Sequence, residues 1–350
     1  MRDALIARIE AGGPMPFEEF MGAALYGPAG GFFAGPVLRS EKEGDFLTSP
    51  EVSPLFGETL AGFVRSEADR IGETEPAVVE AGAGSGSLLR PLLDALGRVG
   101  GVWAVERSPA ARAALAGRVP EAAGVEDLGR VPGGLRGVIL ANELLDNLPA
   151  ALAVRIPQGW EEQWVGVADG ALVPVGVPAR PEVAAWADAH AGEVPVGSLV
   201  EVQIEAGEWV AAAVGLLERG ALVVIDYGDI AEGLLPRRAG GTLRTYRAHH
   251  LGPDPLLEPG ATDITMDVDF AALMAAAGAA GAEVSLHRQD DFLIGLGLED
   301  RLAALRRREL ELAATGDAME RLRIRSALAD GRTLLHPRGL GDFRVMIARV

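Results

Sequence analysis

At 350 residues, 49% hydrophobic and 23% charged, the chain has material for a main domain plus a second lobe, and global disorder is excluded. Its 32 Lys+Arg against 50 Asp+Glu leave a net charge of −18, which disfavours nucleic acid and anionic membrane surfaces and attracts cationic ligands or basic peptides. The lack of cysteine removes disulfides, thiolate metal sites and cysteine nucleophiles, and five histidines leave little for a metal cage.

The first twenty residues are too charged for a secretory signal, and the most apolar later stretch, 271–282, is too short for a membrane span. No metal and no membrane insertion are expected, and the expected address is cytoplasmic. Residues 1–75 read as a helical lobe, with a Gly/Pro-rich run at 27–36 and the loop GDFLTSPEVSP at 44–54. Strand-turn-helix alternation then begins. Strands are expected at 77–81, 101–106, 137–142 and 221–227, with helical crossovers, the signature of a parallel doubly wound sheet. Residues 150–175 alternate as β-hairpins carrying Trp160 and Trp164, 178–195 reads as helix or loop, and 199–204 as one more strand. After a long loop at 228–262 come a helix at 270–280, a strand at 283–287, a charged helix pair at 299–328 and a last strand at 343–350. The two late strands imply an antiparallel hairpin with the charged helices inserted in it. The division is therefore 1–75 for the helical lobe, 76–230 for a ligand-binding core with a hairpin insertion near 150–200, and 231–350 for a substrate-side loop, helical insertion and terminal strands.

The sharpest motif is Val79-Glu80-Ala81-Gly82-Ala83-Gly84-Ser85-Gly86. A strand feeding a Gly turn into a helix N-terminus lets a ligand lie against bare backbone amides. The spacing is G-x-G-x-G, not the dinucleotide G-x-G-x-x-G. Glu80 before the turn repels a pyrophosphate but suits a ligand with an ammonium and a sulfonium. The combination resembles motif I of class I S-adenosylmethionine (SAM) methyltransferases; a turn serving packing alone is the competing reading. Glu106 closes the second strand, placed to accept both ribose hydroxyls of an adenosine, which does not separate SAM from NAD. The third strand ends in Asn142-Glu143-Leu144-Leu145-Asp146-Asn147. These polar groups face a site at the C-terminal sheet edge, or else form a helix start with Asn142 as its cap. Asp226-Tyr227-Gly228 ends the fourth strand. His249-His250, Asp254, Asp263, Asp267 and Asp269 lack the spacing of metal ligands.

In order and spacing, GDFLTSPEVSPLFGE, VVEAGAGSGSL, NELLDNLP, VVIDYG and GTLRTYRAHH…DITMDVDF…DFLIGLGL resemble the MidA-type family of SAM-dependent methyltransferases, from about Phe17 to Phe343. The chain departs from the family pattern at Ser85, at Leu144-Leu145 and at Asp267. The resemblance implies an α/β, Rossmann-like class I SAM methyltransferase fold with an N-terminal helical lobe and inserted helical and hairpin elements. It implies SAM as cofactor, held by Glu80, Gly82, Ala83, Gly84, Gly86, Glu106 and Asn142, with Thr48, Ser49 and Pro50 covering it. Ser49-Pro50-Glu51 also reads as a helix cap. The family's mitochondrial member methylates an arginine of a respiratory complex I subunit, so the implied partner is a protein presenting an arginine, on such a subunit. A guanidinium needs carboxylates to bind and aim it, which nominates Glu143 and Asp146, with Asp226 and Tyr227 beside them. A small-molecule or other side-chain acceptor, and a non-catalytic SAM-binding assembly factor, are the alternatives.

Overall fold

The apolar runs pair into a seven-stranded sheet in the computed structural model, which describes residues 1–35, 48–247 and 250–350. Its strands are β1 (Ala77–Ala81), β2 (Gly101–Val105), β3 (Ala123–Val125), β4 (Leu135–Asn142), β5 (Leu217–Asp226), β6 (Glu283–Arg288) and β7 (Arg344–Arg349). They lie in the order β3-β2-β1-β4-β5-β7-β6. β1 to β5 are parallel, and β7 runs antiparallel between β5 and β6. The fold is thus α/β and Rossmann-like, with the antiparallel terminal pair expected from the sequence.

Both faces of this sheet are buried. Val78, Val138 and Leu140 point into one core, and Val79, Ile139 and Ala141 into the other. Strands covered on both sides have no polar alternation, which is why they read as continuous apolar runs. Helices Pro54–Ile71 and Leu89–Leu96 pack on the first face, and Ile204–Leu216 and Phe270–Ala279 on the second. Strand order reverses between β1 and β4, so the chain leaves their C-terminal ends in opposite directions and a crevice opens there.

A second, antiparallel sheet is formed by Ala151–Ile156, Gly159–Ala168, Ala171–Pro178 and Leu199–Val202, joined by the short Met15–Pro16. Helices Arg2–Gly12 and Phe17–Tyr26 bury Leu5, Phe20 and Leu25 with Leu152 and Val165 of this sheet. Helix Pro181–His190 packs Val183 and Ala187 on Val200 and Trp160.

Three local expectations are corrected. The strand expected at 199–204 stops at Val202, and Ile204 opens helix Ile204–Leu216, which sequence reading missed. Its sequence, IEAGEWVAAAVGL, is too uniformly apolar to show a helical stripe, because it packs against both Phe270–Ala279 and β5. Within the expected loop at 228–262, Arg244–Arg247 forms a strand that pairs with His250–Leu251 and Asp263–Thr265. The helix cap lies one residue earlier than Ser49. Thr48 caps Ser49–Val52 in a capping box with Glu51, whose Oε2 accepts from the Thr48 amide at 3.0 Å.

Candidate active site

A cleft of about 370 Å³ opens over the C-terminal ends of β1, β2 and β4. The glycine loop forms its floor, with φ values of 71°, 51° and 82° at Gly82, Gly84 and Gly86 that favour glycine. Val105 O accepts from the Gly82 and Ala83 amides at 2.9 and 3.1 Å, which ties the loop to the end of β2. Glu106 completes that tie: its Oε2 accepts from Gly84 N at 2.9 Å and its Oε1 from Ser108 N at 2.7 Å. Glu80, Gly82, Ala83, Gly84, Glu106, Asn142, Thr48 and Pro50 all line this cleft, as does Glu143.

Two residues nominated for the cofactor stand outside it. The missing side chain of Gly86 faces away from the cleft, and a Cβ there would meet Leu115 Cδ1 and Val119 Cγ2 at 2.9 Å, so its contacts are with the core. Ser49 is fully buried behind the wall; its amide donates to Glu143 Oε1 at 3.1 Å and its Oγ accepts from Gln289 Nε2 at 3.4 Å. Gly44 to Leu47 of the GDFLTSP block, and His249, lie outside the described residues.

The cleft floor carries two buried acceptor oxygens without a protein donor, Glu80 Oε2 and Asn142 Oδ1. Burial, and the nearby Glu106 carboxylate, push the Glu80 carboxyl well above its ordinary range. Glu106 is also raised by burial, against the pull of its amide donors. A ligand that brings a cation and hydroxyl donors meets these unmet acceptors, so the residues fit SAM.

On the opposite wall Glu143 follows directly on β4 in a left-handed conformation, φ 49°. No α-helix begins here; a single 3-10 turn, Leu145–Asn147, follows, so the helix-cap reading of Asn142 and Glu143 does not hold. Glu143 Oε1 also accepts from Asn142 Nδ2 at 3.2 Å. Burial pushes the Glu143 carboxyl up to about 8, eased by the Ser49 amide and reinforced by Asp146.

Asp146, Asp226 and Tyr227 do not line the cleft; Asp146 and Asp226 are buried behind it and Tyr227 is half-buried beside them. Asp146 is 4% exposed and its Oδ2 accepts from Thr265 Oγ1 at 2.6 Å and from the Tyr227 hydroxyl. Asp226 is fully buried, with both oxygens on backbone amides. The Tyr227 ring lies between Phe343 and the Arg244 guanidinium, at 5.6 and 5.3 Å. The expected pairing of Glu143 with Asp146 in one open clamp is therefore not what the geometry offers. The later aspartates are engaged elsewhere: Asp269 with Arg238 at 2.6 Å, Asp267 with Arg244 at 2.7 Å, and Asp263 with the Asn147 amide at 3.0 Å.

Sequence reading missed several cleft residues: Tyr26, Arg107, Asp127, Leu128 and Trp209. Arg107 sits 5.1 Å over the Tyr26 ring and so joins the N-terminal helices to the mouth of the cleft. Asp127 and Leu128 follow β3, whose three residues, Ala-Gly-Val, are too few to register as a strand. An acid just past a third parallel strand is the same signal that exposed Glu106, had β3 been visible.

The family model described as S-adenosyl-L-methionine-dependent methyltransferase matches residues 59–287. The mouse mitochondrial protein arginine methyltransferase NDUFAF7 is 30% identical over 97% of this chain and 81% of its own length. Its human counterpart is 30% identical over 86% of this chain and 74% of its own. A Burkholderia thailandensis protein solved with S-adenosyl-homocysteine bound superposes with a TM-score of 0.87 at 31% identity, covering 100% of this chain and 91% of that one. The expected cytoplasmic address is overturned, because the relatives are named as mitochondrial proteins. A compartment is read from targeting signals by receptors, and the charge and hydropathy of a folded chain do not encode it.

Proposed function

The chain belongs to the family of S-adenosyl-L-methionine-dependent methyltransferases, and from that premise we propose that it transfers the methyl group to an arginine side chain of a protein. The observation that carries the reading is Glu143: a carboxyl lining the cofactor cleft, at the end of β4, held by two N–H donors on one oxygen. Support comes also from the relatives named as protein arginine methyltransferases and from the net charge of −18, which favours a basic acceptor.

In this reading the Cα atoms of Gly82 to Gly84 lie against the cofactor, Glu106 takes its ribose hydroxyls, and Glu80 with Asn142 faces its cationic end. Thr48 and Pro50 wall it from the N-terminal side. SAM supplies a methyl group already activated on a sulfonium. What remains for the protein is to hold the acceptor nitrogen in line and at contact distance. A guanidinium is cationic and a poor nucleophile until its charge is drawn to one side. Glu143 does this with a charge-assisted hydrogen bond, and the nitrogen that takes the methyl gives up one N–H proton to solvent, so the product stays a singly charged guanidinium. With its carboxyl pushed up to about 8 by burial, Glu143 holds a proton at neutral pH that an arriving guanidinium displaces to solvent. Activity at limiting acceptor therefore rises with pH through about 8. The finer identity of the acceptor, an arginine on a respiratory complex I subunit, is proposed on the family resemblance.

The test is Glu143→Gln. We expect methyl transfer to fall by roughly a hundredfold or more with SAM affinity held, and the alkaline rise to disappear. Mass spectrometry of arginine methylation after incubation with labelled SAM and lysate from a strain lacking the protein gives the readout. Full activity in the variant overturns the role of Glu143, and a labelled small molecule overturns the acceptor.

A further inference from the structure

A left-handed backbone is costly for a residue with a Cβ and persists only where its surroundings over-determine it. Glu143 is such a residue, and its turn is held from both sides by the last two residues of β5. Glu143 N donates to Ile225 O at 2.8 Å. Just beyond, Leu145 N and Asp146 N donate to Asp226 Oδ2 at 3.0 and 3.3 Å. Asp226 Oδ1 accepts from its neighbour's amide, Tyr227 N, at 3.0 Å, which fixes the carboxylate plane against β5. Asp226 is 0% exposed and does not line the cleft.

We infer that Asp226 is a positioning residue, whose side chain sets the turn that presents Glu143 to the acceptor. The inference rests on the reading of Glu143 as the acceptor's charge partner. In every contact its oxygens accept: three amide donors converge on the two of them, and an asparagine offers one oxygen for the three. In Asp226→Asn one oxygen becomes an NH2 that points at an N–H donor, either on the 145–146 turn or on Tyr227. The turn loosens when the NH2 faces it, and when the NH2 faces Tyr227 N the contact that fixes the side-chain plane behind the turn is lost, while β1, β2 and the glycine loop keep their own ties.

The experiment is a double-mutant cycle of Asp226→Asn and Glu143→Gln, with kcat and KM on the purified protein that the lysate labelling identifies, and SAM affinity, measured for each variant of the full chain. Asp226→Asn should lower kcat roughly tenfold to a hundredfold with SAM affinity within about twofold of wild type. In the Glu143→Gln background the same substitution should cost little more, because the group it positions is gone. An undiminished second effect, or SAM affinity falling in step with kcat, makes Asp226 a general structural residue and overturns the inference. If Asp226→Asn gives no cooperative melt, Asp226→Glu, which keeps the carboxylate one methylene further out, is carried through the same cycle with the same criteria. Full activity in Glu143→Gln alone brings down the underlying reading and this inference with it, whereas an impaired Glu143→Gln with an additive Asp226→Asn brings down the inference only.

Discussion

At the ends of β1 and β2, Glu80, Gly82, Gly84 and Glu106 come from one short stretch of chain, and backbone amides tie the glycine loop to Val105 and Glu106. At the end of β4, Glu143 is held by Ser49, Asn142 and Ile225, and Ser49 in turn by Gln289, 240 residues away. The first wall is a supersecondary motif that organises itself. The second exists only once distant segments have docked. On the proposed reading, a cofactor shared by many enzymes is met by the local wall, and the acceptor, which differs from enzyme to enzyme, by the assembled one.

The sharpest way to break the first wall is to fill the loop. Gly84→Val puts a branched side chain at φ 51° on the cleft floor and should abolish SAM binding by calorimetry. Gly86→Ala is its control. It should cost about 1–3 kcal/mol of stability through contact with Leu115 and Val119, with a much smaller effect on SAM affinity. Equal loss of binding in both would mean that the two glycines do not divide their roles.

Glu106→Ala should weaken SAM binding by about 1–3 kcal/mol, since it removes a charged acceptor and frees the Gly84 amide. The smallest effect distinguishes the second wall by pH. Glu143 binds its proton more tightly folded than unfolded, so its contribution to stability is present below the ordinary carboxyl range, near pH 4.5, and is lost as pH rises through about 8. Glu143→Gln should therefore flatten part of the fall in Tm across that window, by about 1 kcal/mol after screening by cleft solvent, or roughly 2–4 °C. Parallel melting curves would show that Glu143 does not titrate there.

The same contrast explains what was legible in the sequence. β1, β2, β4 and β5 announce themselves as apolar runs because both faces of the sheet are buried, and Gly82-x-Gly84 between strand and helix needs no partner to be recognised. Helix Ile204–Leu216 stayed hidden for the same reason that it is well packed, having apolar neighbours on more than one side. Asp146 and Asp226 were legible as acids at strand ends but not as buried ones. Their burial depends on Thr265, Tyr227 and the 145–146 amides closing over them, and no spacing in the chain records that.

The placement of β7 has a consequence for biosynthesis. β5, whose end carries Asp226, has β4 on one side and β7 on the other, so its second edge stays open until Arg344–Arg349 has been made. At roughly 5–20 residues per second, the interval from Asp226 is on the order of ten seconds. Through it a long apolar strand presents unpaired amides and carbonyls to whatever lies nearby. A nascent chain of this protein therefore has an aggregation-prone edge at the strand that carries Asp226, and holding that edge apart is work for a chaperone at the ribosome.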